Sequence, residues 1–118
     1  MKVFRSFYYA WSGIRYCFTT QLNFRIHLLI MLLVIIAGFL FNISATEWLF
    51  IVLCCMLVLM LEMINTALEY LCDVITTEFN PVIKVVKDVT AGAVLVSAVG
   101  SIVTGTVIFL PKIISFLK

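Results

Sequence analysis

The sequence predicts an all-α integral membrane protein, with three transmembrane helices preceded by an amphipathic helix in the membrane surface. Three observations carry this. Of 118 residues, 64% are hydrophobic and 12% charged, against about 45–50% and about 25% in soluble domains. Three apolar runs each approach or exceed the ~20 residues a helical span needs. The segment before them instead repeats aromatic side chains at helical spacing. The length fits a single membrane-embedded domain over 1–118. A net charge of +2 with no basic run excludes nucleic acid as a partner.

Residues 3–18 come first. Phe4, Phe7, Tyr8, Trp11, Ile14 and Phe18 recur at helical spacing, while Arg5, Ser12 and Arg15 are polar. This is the pattern of a helix lying in the lipid–water interface, with Trp11 and the following Arg25 as interfacial residues. The alternative is a downward extension of the first span. Arg5, Arg15 and Arg25 interrupt any secretory h-region, so the start reads as mature.

The spans follow at Ile26–Ile43, at Trp48 to about Leu71, and at Val89–Leu110. Thr46 or Ser44 is placed to cap the second. Pro81 breaks the chain after it, by disfavouring helix at Asn80. Lys2, Arg5, Arg15, Arg25, Lys84 and Lys87 fall on one side of the membrane, and Lys112 and Lys118 on the other. The positive-inside rule makes the first side cytoplasmic, N-terminus included. Ala93, Ser97, Ser101 and Gly105 form a small-residue row on the third span, suited to close helix packing. Cys17, Cys54, Cys55 and Cys72 contain no CxxC and read as packed or lipid-facing thiols.

The segment Leu61–Asp73, LEMINTALEYLCD, carries the chemistry. Glu62, Asn65, Thr66, Glu69 and Asp73 fall within roughly a 100° arc of one helix. Counted from Trp48, Glu62 lies about 21 Å along the helix, inside a hydrocarbon core of about 30 Å. A charge at mid-membrane costs roughly 2.5–3.5 kcal/mol on insertion scales. These groups therefore face protein, water or a cation. A satisfied interhelical hydrogen-bond cluster is the structural alternative. The functional reading is a divalent cation site. Mg²⁺ favours one or two carboxylates plus phosphate oxygens, and Lys87-Asp88 and Arg25 can join the same layer. No GxxxxGK[ST], GxGxxG or HExxH is present. His27, alone beside Arg25, reads as a capping or interfacial residue rather than a ligand.

The run EMINTALEYLCD, followed by KDVTAGAVLV, strongly resembles the small bacterial diacylglycerol kinase/undecaprenol kinase family. WSGIRY and NFRIH fit the same family, so the resemblance covers nearly the whole chain. It implies a homotrimeric helical bundle in the bacterial inner membrane. It also implies an enzyme that phosphorylates the hydroxyl of a lipid alcohol with Mg-ATP at the cytoplasmic interface. By motif position, Glu62 is the expected general base and Glu69 a magnesium ligand. Asn65, Asp73, Lys87 and Asp88 are expected around the nucleotide phosphates. Two positions depart from the family pattern. Gln21 stands where many members carry a second metal-coordinating Glu, and Asn80 where they carry His.

The resemblance leaves two lipid alcohols, undecaprenol and diacylglycerol, and the NFRIH and EFNP forms favour undecaprenol. A small cation-coupled transporter using an intramembrane Glu is the alternative function. Its key acid is expected near the midplane, whereas these acids cluster toward one face. A non-catalytic membrane subunit has no use for so aligned a stripe.

Overall fold

A computed structural model describes all 118 residues. It is entirely helical: α1 Lys2–Thr20, α2 Leu22–Leu40, α3 Ala45–Ile75 and α4 Pro81–Leu117. The last three have mean hydropathies of 2.2, 2.3 and 2.2 over their most apolar windows, and all are long enough to cross a membrane. The surface helix is separate from the first span. The chain breaks at Gln21, whose extended backbone (φ −111°, ψ 110°) ends α1 and starts α2.

The helices α2, α3 and α4 run up, down and up. The proximal end of the bundle holds α1, the start of α2, the end of α3 and the start of α4. The distal end holds the α2–α3 turn and the end of α4. Ion pairs fix this register: Lys87 Nζ to Asp73 Oδ1 at 2.8 Å at the proximal end, and Lys112 Nζ to Glu47 Oε2 at 3.1 Å at the distal end. The helix α3 packs along α4 far more than along α2, while α1 touches only α2 and α3.

The distal turn is tightly specified. Asn42 adopts φ 52°, a left-handed conformation that Asn tolerates better than most residues. The Asn42 N–H donates to the Phe39 carbonyl, and the Ile43 N–H to the Gly38 carbonyl at 3.1 Å. These are the two hydrogen bonds of a Schellman motif, and they satisfy carbonyls the helix end would leave open. One residue later Ser44, not Thr46, caps α3. Its hydroxyl accepts from the Glu47 N–H and the Glu47 carboxylate accepts from the Ser44 N–H, a reciprocal capping box. Gly38 lets the Trp48 ring lie directly on α2, since a Cβ there would sit 2.5 Å from the ring. Ile43, Ile51 and Ile108 form the small core beside this turn.

The helices α3 and α4 outrun the apolar segments read from the sequence, whereas α2 starts before Ile26, at Leu22, and ends at Leu40, short of Ile43, because the left-handed Asn42 closes it. Asn80 is extended, and its side-chain oxygen accepts from the N–H groups of Val82 and Ile83. Pro81 therefore stops α3 from continuing yet is well suited to the first position of α4. The helix α4 then continues through Pro111 to Leu117. Only 12 of 118 residues are buried, so most of the apolar surface is left for lipid or further copies. The small-residue row is partly used within the chain: Ser97 is buried, and Ser101 and Gly105 line a groove between α2, α3 and α4.

Candidate active site

The polar stripe of α3 is graded along its length. Glu62, Asn65 and Thr66 are buried, Glu69 is half-buried, and Asp73 is exposed. Glu62 and Thr66 lie where His27 of α2 and Cys17 of α1 meet α3. The Thr66 hydroxyl donates to the Glu62 carbonyl at 3.0 Å, which satisfies it on its own helix. The Asn65 amide donates to Glu69 Oε1 at 3.4 Å. Asn65 Oδ1 is buried without a partner, a state that costs about 1–3 kcal/mol unless a ligand or water meets it.

The Glu62 carboxylate has no side-chain hydrogen bond within the chain. Across helices it faces the His27 imidazole on α2, with Nε2 at 3.9 Å from Oε2. Above it sits Cys17, the one buried residue of α1. Burial, with the Glu62 charge adding to it, pushes the Cys17 thiol up, against a smaller opposing contact with Thr66. The Tyr16 hydroxyl hydrogen-bonds the Tyr70 hydroxyl, so the end of α1 is tied to α3 by two adjacent residues.

The other expected site residues divide. Asp73 and Lys87 meet across the α3–α4 interface. Asp88 turns instead to Lys84, one turn earlier on its own helix, at 2.6 Å. Lys87 and Asp88 thus face different partners. Arg25 does not join the acids. Its guanidinium donates to the carbonyls of Phe18 and Thr19, both at 3.4 Å, and so serves the open C-terminus of α1. Trp11 is exposed on α1. Gln21 sits at the α1–α2 break, half-buried, with its amide against the Thr20 hydroxyl at 3.4 Å.

Within one chain no cluster of three or more His, Cys, Asp or Glu side chains converges. Glu69 and the unpartnered Asn65 Oδ1 nevertheless offer adjacent hard oxygen donors. That set fits Mg²⁺, which takes few protein ligands and completes its shell with water and phosphate oxygens.

Sequence reasoning missed the groove. It encloses about 590 Å³ between α2, α3 and α4. The Phe41 ring, 6.2 Å from Phe109, and 6.4 Å from Phe116, stands near its distal end. Its wall is apolar apart from His27, Ser101 and Thr106. The two hydroxyls donate to carbonyls of their own helix, those of Ser97 and Ile102. Cys54 and Cys55, side by side on α3, both line it. The small-residue row of α4 marked one wall, since Ser101 and Gly105 line the groove, but the facing stretches of α2 and α3 are too evenly apolar for any periodic signal to mark the other two.

A three-span helical membrane protein with a graded acid stripe at one end finds its class, a lipid kinase of the membrane, in its relatives. The family profile described as prokaryotic diacylglycerol kinase matches residues 8–109. The chain belongs to that family. It is 42% identical over 112 residues to the undecaprenol kinase of Bacillus subtilis strain 168, covering 95% of this chain and 91% of that one. A diacylglycerol kinase of Synechocystis is 39% identical over 113 residues, covering 95% of this chain and 65% of the relative. The diacylglycerol kinase of Escherichia coli K12 is 24% identical over 103 residues, covering 87% of this chain and 84% of that relative.

Proposed function

We propose that this protein transfers the γ-phosphoryl group of Mg-ATP to the terminal hydroxyl of a lipid alcohol, with undecaprenol preferred over diacylglycerol. The observation that carries the reading is the stripe of α3. A buried carboxylate, 3.9 Å from the His27 imidazole that lines the groove, is followed, turn by turn, by an amide, a half-buried carboxylate and an exposed acid–lysine pair. Such a gradient suits a reaction between a hydroxyl held at membrane depth and a phosphate arriving from water.

The acceptor chain lies in the groove with its hydroxyl at Glu62. Glu62 takes the hydroxyl proton as the oxygen bonds to the γ-phosphorus and the bond to ADP breaks. Phosphoryl transfer needs positioning and charge neutralisation more than covalent help. A base therefore contributes late, by removing a proton that becomes acidic as the bond forms. Glu69 and Asn65, with Gln21 as a weaker candidate, would hold magnesium, which would neutralise phosphate charge. Lys87 exchanges Asp73 for a phosphate oxygen, and Asp88 lies in the same exposed layer. The apolar wall, with its hydroxyls already satisfied, favours a long isoprenoid chain over a glycerol backbone whose two esters need polar partners. The higher identity to an undecaprenol kinase supports the same choice.

The reading places 1–118 as one kinase domain in the bacterial plasma membrane. The N-terminus and the α3–α4 connection face the cytoplasm, by the bias of Lys and Arg. It also takes the protein as a homotrimer, in which other copies cover part of the apolar surface that one chain leaves open. The test is direct. Purified protein in lipid nanodiscs is given Mg-ATP with undecaprenol or diacylglycerol separately, and the phosphorylated lipid is measured. Undecaprenyl phosphate forms faster than phosphatidic acid. Phosphorylation of neither lipid rejects the kinase reading, and a faster reaction with diacylglycerol reverses the substrate assignment.

A further inference from the structure

We propose that His27, which lines the groove, is a positioning residue for Glu62, holding one carboxylate oxygen so that the other is left for the acceptor hydroxyl. The inference rests on the reading of Glu62 as the base. Three observations converge on it. The imidazole Nε2 is 3.9 Å from Glu62 Oε2. The Glu62 side chain is 4% exposed and has no side-chain hydrogen bond of its own. Among the polar residues lining the groove, Ser101 and Thr106 are satisfied by their own helix, and His27 alone has no such bond.

The geometry has a simple consequence. A buried carboxylate without a donor is free to rotate about its last bond, and it presents either oxygen to a substrate. An imidazole on one side removes that freedom. At 3.9 Å the two groups make a charge or dipole contact, and a small side-chain rotation brings them to hydrogen-bonding distance. With Nε2 protonated the ring donates to Oε2, leaving Oε1 for the acceptor hydroxyl. Because α2 carries the imidazole and α3 the carboxylate, the contact also ties the orientation of the base to the spacing of the two helices that wall the groove. A chain entering between them then acts on the base it is about to meet.

Two measurements test this. The first is kinetic. His27→Ala lowers kcat about 10- to 100-fold, the size of effect seen when a group orienting a metal ligand is removed, with KM for Mg-ATP unchanged. His27→Gln, whose amide can donate to the same oxygen, recovers most of the rate. An unchanged kcat in His27→Ala overturns the proposal, as does equal loss in both variants accompanied by loss of thermal stability. The second measurement does not depend on activity. The chain has a single histidine, so ¹⁵N-histidine labelling in nanodiscs gives one imidazole to follow by solid-state NMR. Its signal shifts in Glu62→Gln and not in Glu69→Gln. An unshifted signal in Glu62→Gln overturns the pairing. If the signal shifts as expected while the wild-type protein phosphorylates no lipid, the pairing stands as geometry, and both the kinase reading and the positioning role fall. If the kinase is active and the kinetic or NMR result is absent, the positioning role alone falls.

Discussion

The two ends of the bundle treat polar groups in opposite ways. At the distal end nearly every group is answered within the chain. The Schellman bonds close α2, Ser44 and Glu47 cap each other's backbone, and Lys112 reaches the same Glu47 at 3.1 Å. At the proximal end two buried polar groups are left unanswered, although Thr66 beside them is satisfied. Glu62 lacks a side-chain hydrogen bond, and Asn65 Oδ1 has no partner. Burial of polar atoms costs stability unless they are paired. Both ends help to hold the register, but only the proximal end also keeps buried polar groups available for something outside the chain.

The largest expected effect breaks the comparison at its centre. Glu62→Gln keeps the shape of the side chain and removes the base. Lipid phosphorylation falls by at least the 10²–10⁴-fold typical of a general base, while helical content by circular dichroism is unchanged. A near-normal rate in this variant removes Glu62 from the chemistry.

Glu69→Gln comes next. It lowers the rate and raises the Mg²⁺ concentration needed for half-maximal activity, because one charged ligand is lost. A magnesium titration that superimposes on wild type makes Glu69 structural, and the proximal end loses its second functional acid.

The matching test at the distal end is Gly38→Ala. The new methyl group would lie 2.5 Å from the Trp48 ring, so the ring or the helix must move. Overpacking of this kind costs about 1–3 kcal/mol. Thermal unfolding in detergent should fall accordingly, while kcat per folded protein is retained. Loss of turnover without loss of stability shows that the two ends are not independent.

The smallest effect sharpens the proximal end. Gln21→Glu moves half-maximal activity to lower Mg²⁺ and does not abolish turnover. The Gln21 amide meets only the Thr20 hydroxyl, so little native structure is at stake. Superimposed magnesium curves for the two proteins place position 21 outside the metal shell.

Much of this was legible in the sequence. Local periodicity depends on neighbours within a few residues, so the three spans, the aromatic surface helix and the single-faced stripe from Glu62 to Asp73 could all be read. The cap at Ser44 was one of two candidates, and the Glu47 three residues later was the signal that separates them. Long-range pairing was not legible. Lys87 and Asp88 are adjacent, and nothing local says that one crosses to Asp73 while the other folds back to Lys84. Arg25 could have met the acids, but the open carbonyls of α1 lay closer. The nearness of His27 to Glu62 depends on how α2 leans on α3, which no spacing encodes.

The reach of α4 has a consequence for vertical placement. Lys87 and Lys112 lie 25 positions apart on this one helix, about 37 Å at 1.5 Å per residue. Between them only Asp88 carries a charge, and it stands next to Lys87. The two ammonium groups therefore straddle a hydrocarbon slab of about 30 Å like floats on either side of a plank. Sliding the molecule by a turn in either direction would drag one of them toward oil, and a thinner or thicker bilayer is met by tilt or local deformation at a modest cost per ångström. Since α3 is locked to α4 at both ends, the depth of Glu62 beneath the water is set by the length of a neighbouring helix.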